Sequence, residues 1–317
     1  MSKVDKQTKV AVCSRSFSRN PVLRAELLAR YTQVTFNDVG AQLAGDSLVD
    51  FLKGHEKAIT ALEVIDDYVL SRLPDLQVIG KYGVGLDMID LAAMRAHGKR
   101  LGWTGGVNKR SVSELVISFA IAMLRHVMAA NREVLAGTWR QHVGGYLSGR
   151  TVGVIGCGHI GKDLVSLLKP FGCPVLVHDI VDYPEFYARH AIEPVTLEEL
   201  LARSDVVTLH VPLDDSTREL LSAERLALLR PTAILINTAR GGLVDEIALK
   251  KMLQNQRLAA AGFDVFAQEP PQDAQLLSLP NFLATPHIGG SAAEAILAMG
   301  RAAINGLDEH DLPGTNS

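Results

Sequence analysis

Residues 152–161 read Val-Gly-Val-Ile-Gly-Cys-Gly-His-Ile-Gly, and this stretch decides how the rest of the chain is interpreted. It opens with an apolar run that is typical of a buried parallel strand. Three glycines follow at the G-x-G-x-x-G spacing: Gly156 allows a tight turn, and Gly158 leaves room for a pyrophosphate beside the backbone. Gly161 lets the next helix, predicted over residues 160–169, pack against the strand. The free N–H groups and the positive dipole end of that helix would point at the phosphates.

An acid stands where a dinucleotide-binding unit needs one. A second apolar strand is predicted over residues 174–177, and Asp179 lies about 20 residues beyond the glycines, where a carboxylate holds the adenosine ribose hydroxyls. This complete pattern favours dinucleotide binding over an ordinary strand-to-helix turn. Because Asp179 would repel a 2′-phosphate and residues 180–183 contain no Arg or Lys, the sequence predicts NAD rather than NADP.

Composition limits the class of protein. The chain has 317 residues, 47% of them hydrophobic and 21% charged, with a net charge of −3. This length exceeds what one hydrophobic core usually spans, so we expect two domains. The scattered basic residues predict neither a nucleic-acid partner nor a membrane partner. Cys13, Cys157 and Cys173 form no C-x-x-C pair or metal-ligand spacing, so we expect no metal site and a cytoplasmic location.

Apolar strand-like runs alternate with helix-like segments, which predicts an α/β fold with parallel sheets. Residues 111–131 are predicted to form one long helix that is apolar almost all round. We therefore expect this helix to be buried between domains or at a subunit contact. Residues 137–147 are predicted to be a loop, and the tail from Asp311 to be loosely held. Polar residues cluster after the strand ends, where an open α/β sheet binds its ligand.

Arg240, Glu269 and His287 each follow closely on a predicted strand of the domain that holds the glycines. Taken singly they also fit a solvated arginine, a surface acid and a turn histidine, but together they suit the reduction of a 2-oxo acid. Arg240 can hold the carboxylate and polarise the carbonyl, because a planar guanidinium binds carboxylates through two hydrogen bonds. His287 can supply the proton, and Glu269 can orient the imidazole and favour its charged form. A nicotinamide would supply the hydride, so the reaction needs no metal.

With these residues in place, the chain resembles the D-2-hydroxyacid dehydrogenase family, specifically its phosphoglycerate-dehydrogenase-like branch. The resemblance covers nearly the whole chain and is densest from Lys81 to Gly290. It rests, in chain order, on Gly83-Val84-Gly85-Leu86-Asp87, Ser111-Val112-Ser113-Glu114, the glycine turn with Asp179, His210-Val211-Pro212 with Ser216-Thr217, Asn237-Thr238-Ala239-Arg240-Gly241-Gly242, Phe263 to Pro271, and Pro286-His287-Ile288-Gly289-Gly290. So many motifs in one order are more specific than any single motif.

The resemblance implies a role for each segment. The implied catalytic residues are Arg240, which binds and polarises the substrate, His287 as the acid/base, and Glu269 as its partner. The implied substrate-binding residues are Val84, Gly85, Arg240 and His287. The implied cofactor-binding residues are Gly156, Gly158, His159, Ile160, Gly161, Asp179, His210, Val211, Pro212, Thr217, Thr238, Ala239, Arg240, Asp264, His287 and Gly289, with Asp264 holding the nicotinamide amide.

The resemblance also implies an architecture of two Rossmann-like domains. A central NAD-binding domain, residues 107–286, is expected to be inserted into a flavodoxin-like substrate-binding domain formed by residues 1–106 and 287–317. Members of the family are typically homodimers, with the long helix near residue 120 at the contact. We therefore expect a homodimer.

Two positions depart from the family pattern. Met88 stands where Asn often follows the Asp of G-x-G-x-D, and Glu63 stands where phosphoglycerate-using relatives tend to carry Arg. An acid at position 63 would repel a substrate phosphate, although Arg15, Arg19 and Lys81 could compensate. The sequence therefore predicts an NAD-dependent D-2-hydroxyacid dehydrogenase with a small 2-oxo or 2-hydroxy acid substrate. The alternatives are phosphoglycerate dehydrogenase proper and an NAD-sensing, non-catalytic binding protein of the corepressor type.

Overall fold

The computed structural model describes residues 5–314, so residues 1–4 and 315–317 of the predicted substrate-binding domain lie outside the described part. In chain order the strands are β1 (Lys9–Val12), β2 (Gln33–Phe36), β3 (Lys57–Thr60), β4 (Val78–Lys81), β5 (Arg100–Gly102), β6 (Val152–Ile155), β7 (Val175–His178), β8 (Glu193–Pro194), β9 (Val206–Leu209), β10 (Ile234–Asn237), β11 (Ala260–Phe263) and β12 (Phe282–Ala284). The helices are α1 (Arg15–Arg19), α2 (Pro21–Arg30), α3 (Asp46–Leu52), α4 (Asp67–Leu70), α5 (Leu91–Ala96), α6 (Lys109–Leu124), α7 (Val127–Leu135), α8 (His159–Leu168), α9 (Pro184–His190), α10 (Leu197–Arg203), α11 (Ala223–Leu226), α12 (Glu246–Gln254), α13 (Ala274–Ser278) and α14 (Ala293–Gly306).

The first compact unit combines both ends of the chain, residues 1–108 and 292–317. Its strands are all parallel and lie in the order β2-β1-β3-β4-β5, which is the order of flavodoxin-like sheets. Apolar clusters lie on both faces of this sheet, so nearly all residues of β1, β3 and β4 are buried. One of its two apolar clusters includes Ala303 and Ile304, so α14 packs into the core of this unit.

The second unit, residues 109–291, holds a parallel sheet in the order β12-β11-β10-β9-β6-β7-β8. The chain winds from β6 towards β8 and then restarts at β9 on the other side of β6, which is the Rossmann order with its reversal between β6 and β9. The predicted α/β class with parallel sheets is confirmed. The unit runs to Ser291 rather than ending at residue 286, so His287 lies in the same unit as the glycine turn.

The prediction of one long helix over residues 111–131 was wrong. The segment forms α6 and α7, which meet at an angle of 63°. His126, at the break, adopts a left-handed backbone with φ of 54°, and the carbonyl of Leu124 accepts the N–H of Gly145 at 3.0 Å. The chain leaves the helix there because a loop residue takes the hydrogen bond. No single helix in the described part is long and apolar enough to cross a bilayer; only the bent pair α6 and α7 reaches that length and composition together.

The prediction of a loosely held tail was also wrong for its described part, residues 311–314. Asp311 and Leu101 exchange two backbone hydrogen bonds, of 2.8 and 3.2 Å, which form an antiparallel bridge to β5. Arg95 donates to the carbonyl of Gly314 at 2.8 Å. This extension could not be predicted from composition, because it is held by backbone groups rather than by an apolar run.

Candidate active site

The predicted site residues of the second unit all follow the carboxyl ends of its parallel strands. His159 and Ile160 open α8 after β6, Asp179 follows β7, and His210 to Pro212 with Thr217 follow β9. Thr238 to Arg240 follow β10, Asp264 follows β11, and His287 with Gly289 follow β12. Because the strands are parallel, these segments share one edge of the sheet, where open α/β sheets bind ligands. Val84 and Gly85 follow β4 of the first unit.

The glycine turn has the backbone that its sequence requires. Gly156 has φ of 95°, and a Cβ there would meet the carbonyl of His210 at 2.7 Å. A Cβ on Gly161 would meet the carbonyl of Gly156 at 2.2 Å, so the helix start packs directly against the turn. A Cβ on Gly158 would meet nothing within 4 Å, which leaves open space at the N-terminus of α8. The open space and the helix dipole suit the pyrophosphate of a dinucleotide.

Asp179 lies directly beside the glycine turn. Its Oδ2 accepts the N–H of Cys157 at 2.5 Å, and its Oδ1 accepts the N–H of Val181 at 2.8 Å. The carboxylate is therefore fixed at the end of β7, where it can still accept from ribose hydroxyls, since each oxygen has a second lone pair. The Cys157 thiol is buried, which raises its pKa to about 11, so it is neutral and fills space within the turn.

Two buried polar atoms at this edge have no hydrogen-bond partner among the described residues. They are Oγ1 of Thr238 and Nδ1 of His210, both in predicted cofactor-binding segments. Burial lowers the pKa of His210 to about 3, so its imidazole is neutral at physiological pH, and its Nε2 lies 3.0 Å from Oγ1 of Thr208. Orphaned polar atoms at a sheet edge fit a polar ligand such as a dinucleotide, which could satisfy them.

Arg240 is half-buried at the end of a short loop that Asn237 shapes. The Asn237 amide donates to the carbonyl of Arg240 at 2.8 Å and accepts the N–H of Ala239 at 3.1 Å. The Arg240 guanidinium donates to the carbonyl of Ala239 at 2.7 Å. Asn237 is buried and was not among the predicted site residues. Asn237 could have been suspected from its place in the Asn-Thr-Ala-Arg segment. The sequence alone does not indicate which backbone groups its amide binds.

His287 and Glu269 are in direct contact. Nδ1 of His287 lies 2.9 Å from Oε2 of Glu269. An ionised carboxylate can only accept, so Nδ1 carries the hydrogen and Nε2 remains for a reacting group. His287 has φ of 54°, a left-handed backbone that a non-glycine residue keeps only where its surroundings hold it. A cavity of about 390 Å³ borders the pair, with mainly apolar walls that include Phe266, Pro270 and Pro286.

Asp264 holds the loop that carries His287. Its Oδ1 accepts from Oγ1 of Thr285 at 2.5 Å and from the N–H of Ile288 at 2.7 Å, and its Oδ2 accepts the N–H of Gly289 at 2.7 Å. Its own carbonyl accepts the N–H of His287 at 2.9 Å. This buried carboxylate therefore fixes the conformation of the loop after β12, a role that was not predicted from the sequence. Thr285, which donates one of these hydrogen bonds, was also not predicted.

In the first unit the segment after β4 has its own supports. Gly83 has φ of 122°, and the Trp103 indole donates to the carbonyl of Val84 at 3.0 Å. Lys81 is buried and donates from Nζ to the carbonyl of Ala61. The described residues of the chain contain no cluster of three or more His, Cys, Asp or Glu side chains that could hold a metal ion.

Comparison with known proteins identifies relatives over most of the chain. The family model described as D-isomer specific 2-hydroxyacid dehydrogenase, NAD binding domain, matches residues 117–289. The chain is 36% identical over 268 residues to a D-3-phosphoglycerate dehydrogenase of Methanocaldococcus jannaschii, covering 83% of this chain and 51% of that protein. It is 39% identical over 226 residues to a hydroxypyruvate reductase of Thermotoga maritima, covering 70% of this chain and 73% of that protein.

The structural comparison agrees with the sequence comparison. A solved structure described as the pyruvate reductase of Chlamydomonas reinhardtii has a TM-score of 0.84 and 30% identity, covering 98% of both chains. The chain spans about half the length of the D-3-phosphoglycerate dehydrogenases that it matches. The family-model match confirms the NAD-binding domain that the glycine turn predicted.

Proposed function

The chain belongs to the D-isomer specific 2-hydroxyacid dehydrogenase family, and on that premise we propose that it is an NAD-dependent oxidoreductase that interconverts a 2-oxo acid and a D-2-hydroxy acid. The observation that carries the proposal is the contact of 2.9 Å between Nδ1 of His287 and Oε2 of Glu269 at the ligand-binding edge of the sheet. This contact is the arrangement of an acid/base, since the carboxylate orients the imidazole and compensates its charge.

The residues of the chain divide the work of the reduction. NADH, when bound, supplies the hydride that adds to C2 of the 2-oxo acid. The imidazolium form of His287 donates its Nε2 proton to the carbonyl oxygen, which becomes the hydroxyl group, and keeps its Nδ1 hydrogen in the bond to Glu269. Arg240 holds the substrate carboxylate and polarises the carbonyl, because its guanidinium stays charged and planar. The glycine turn and Asp179 hold the dinucleotide, and Asp179 favours NAD over NADP by repelling a 2′-phosphate.

We propose an unphosphorylated substrate. Glu63 keeps its carboxylate at the end of β3, where Oε2 accepts the N–H of Ala61 at 2.6 Å. A fixed negative charge there disfavours a substrate phosphate by direct repulsion. Glyoxylate, hydroxypyruvate and larger 2-oxo acids are therefore better candidates than 3-phosphohydroxypyruvate.

A substrate screen tests the activity. The purified chain is mixed with NADH and each 2-oxo acid, and the loss of NADH absorbance is followed; NADPH replaces NADH in parallel reactions. We expect turnover of at least one unphosphorylated 2-oxo acid, with a clear preference for NADH. A preference for 3-phosphohydroxypyruvate would favour phosphoglycerate dehydrogenase proper. NADH binding without turnover of any 2-oxo acid would favour the corepressor-type binding protein.

We further propose a homodimer in the cytoplasm. The end of α7 and the segment after it, residues 135–146, contain four strongly exposed apolar side chains: Leu135 (79%), Trp139 (86%), Val143 (95%) and Tyr146 (79%). A run of exposed apolar side chains of this size is typical of a contact surface. A cavity of about 810 Å³ beside this segment lies before β10 and β12, at the sheet edge opposite the site, so we do not assign it to the substrate. In sedimentation experiments we expect Trp139→Glu to be a monomer. Ile180→Glu is the control, since Ile180 is also exposed but lies outside this segment, and it should remain a dimer.

The three unpaired cysteines support a reducing compartment such as the cytoplasm.

A further inference from the structure

The Glu269 carboxylate makes two hydrogen bonds, one within its own turn and one to the imidazole of His287. Its Oε1 accepts the N–H of Phe266 at 3.2 Å, which closes a turn over residues 266–269. Its Oε2 meets Nδ1 of His287 at 2.9 Å. The side chains of Glu269 and His287 are 40% and 52% exposed, so burial does not hold them in place. The geometry of the pair therefore depends on what fixes the 266–269 turn.

Glu246 holds this turn from outside. Its Oε1 accepts the N–H of Ala267, inside the turn, at 2.9 Å. Glu246 is the first residue of α12, but it does not cap the helix, because Asp245 accepts the N–H groups of Ile247 and Ala248. The half-buried Glu246 carboxylate thus binds a backbone group of the segment that carries Glu269.

A second contact lies one helical turn further along α12. Nζ of Lys250 pairs with Oδ2 of Asp273 at 2.6 Å. Residues four apart share one face of a helix, so Glu246 and Lys250 hold the two ends of residues 267–273. The Lys250 pair is partly exposed and weak, whereas the Glu246 bond is directional and lies two residues from Glu269.

We infer that Glu246 is a positioning residue, which fixes the 266–269 turn so that Glu269 keeps the His287 hydrogen on Nδ1 and Nε2 faces the reaction. Its kinetic consequence rests on the proposed function, but its structural consequence does not. Glu246 touches neither substrate nor cofactor in this account. It acts through Ala267 and Glu269.

The first test compares three variants. Glu246→Ala should lower kcat about tenfold, which is what loss of one hydrogen bond to a positioned group corresponds to. The KM for NADH should not change, because the glycine turn is untouched. Glu246→Gln should restore kcat, since its amide oxygen can still accept the N–H of Ala267. Glu224→Ala is the matched control: Glu224 is also in the first turn of a helix of this unit, and its carboxylate accepts from Ser222 instead.

The second test separates positioning from general stability. In a Glu269→Ala background, Glu246→Ala should cause no further loss of kcat, because its effect passes through Glu269. Nitrogen NMR of the His287 ring reports the tautomer without any turnover. We expect hydrogen on Nδ1 in the wild type and in Glu246→Gln, and a mixture of tautomers in Glu246→Ala.

The outcomes are distinguishable. A wild-type tautomer and wild-type kcat in Glu246→Ala, even with a lower melting temperature, would show that Glu246 is only structural and overturn the inference. If the chain reduces no 2-oxo acid and Glu246→Ala still shifts the tautomer, the proposed function fails and the inference stands. If Glu269→Ala lowers kcat and Glu246→Ala does not, the proposed function stands and the inference about Glu246 fails.

Discussion

At the scale of single residues, the position of one hydrogen on His287 determines what the site can do. The Glu269 carboxylate accepts a hydrogen bond from Nδ1–H, so Nε2 is the nitrogen that exchanges a proton with substrate. We expect His287→Ala to lower kcat by about 10²- to 10⁴-fold, the usual contribution of a general acid, while NADH still binds. Steady-state kinetics and an NADH fluorescence titration measure the two effects. Wild-type kcat in this variant would remove His287 from the mechanism.

Arg240 permits a second test at this scale. Arg240→Lys keeps the charge but loses the planar pair of donors, so we expect KM for the 2-oxo acid to rise and kcat to fall together. Asn237 should still hold the loop, because it binds the backbone carbonyl of residue 240. Arg230→Lys is the matched control, since Arg230 donates to the carbonyl of Ala202 away from the site. An unchanged kcat in Arg240→Lys would argue against carbonyl polarisation.

The chemical roles of these residues could be predicted from the sequence, but the hydrogen bonds that hold them in place could not. Glu269 and His287 could be named because their side chains suit the reaction, and the structure joins them in one contact. The bonds from Asp264 to the loop after β12 could not be predicted, because they depend on how two strands place residues 21 to 25 positions apart. Buried supports of this kind have no signature in side-chain type alone.

At the scale of elements, the strand predicted over residues 174–177 is found one residue later, at Val175–His178, but two elements that follow it were missed, the short strand β8 and the helix α9. Pro184 marks its start, yet its end lacks the usual glycine: Ala191 takes the left-handed position with φ of 53°, and the N–H of Ile192 reaches the carbonyl of Tyr187 at 3.0 Å. We expect Ala191→Gly to stabilise the protein by about 1 kcal/mol, since alanine is strained there. Ala188→Gly, inside the same helix and also exposed, should destabilise it by about 1 kcal/mol. Urea denaturation measures both; equal shifts in one direction would refute the argument.

At the scale of the whole molecule, two domains were expected from the length of the chain, and their bounds came from the family resemblance. The boundary near His287 was less predictable, since the loop after β12 belongs by its hydrogen bonds to the second unit although the chain then returns to the first. The contacts that close the first unit were not predicted at all. Nζ of Lys57 and Oδ1 of Asp308 are 2.7 Å apart but separated by 251 residues, and no local pattern encodes such a pair.

This closing cluster should set the acid stability of the first unit. Asp308 accepts from Tyr31 at 2.5 Å and pairs with Lys57 at 2.7 Å and Arg30 at 2.6 Å. Burial opposes ionisation of its carboxyl, but the hydrogen bonds from Lys57 and Tyr31 outweigh burial and lower the pKa of Asp308. A lowered folded-state pKa contributes stability above the unfolded value of about 3.9, and that stability is lost as pH falls through the folded value. Asp308→Asn should therefore destabilise the first unit by about 3 kcal/mol at neutral pH, since it leaves the mostly buried Lys57 ammonium without a carboxylate, with only the carbonyl of Leu307 and the hydroxyl of Tyr31 to accept from it.

The two tryptophans allow this effect to be assigned to one unit. Trp103 lies in the first unit and Trp139 in the second, so a Trp139→Phe background leaves a reporter for the first unit alone. In that background we expect Asp308→Asn to lower the urea midpoint and to remove part of the loss of stability below about pH 4. Asp38→Asn is the control, because its pair with Arg24 lies in the same unit but is more exposed, 67% and 31%, and should be worth less than about 1 kcal/mol. If Asp308→Asn leaves the Trp103 transition unchanged at both pH values, the ion pairs of Asp308 do not stabilise the first unit, because the carbonyl of Leu307 and the hydroxyl of Tyr31 are then sufficient partners for the Lys57 ammonium.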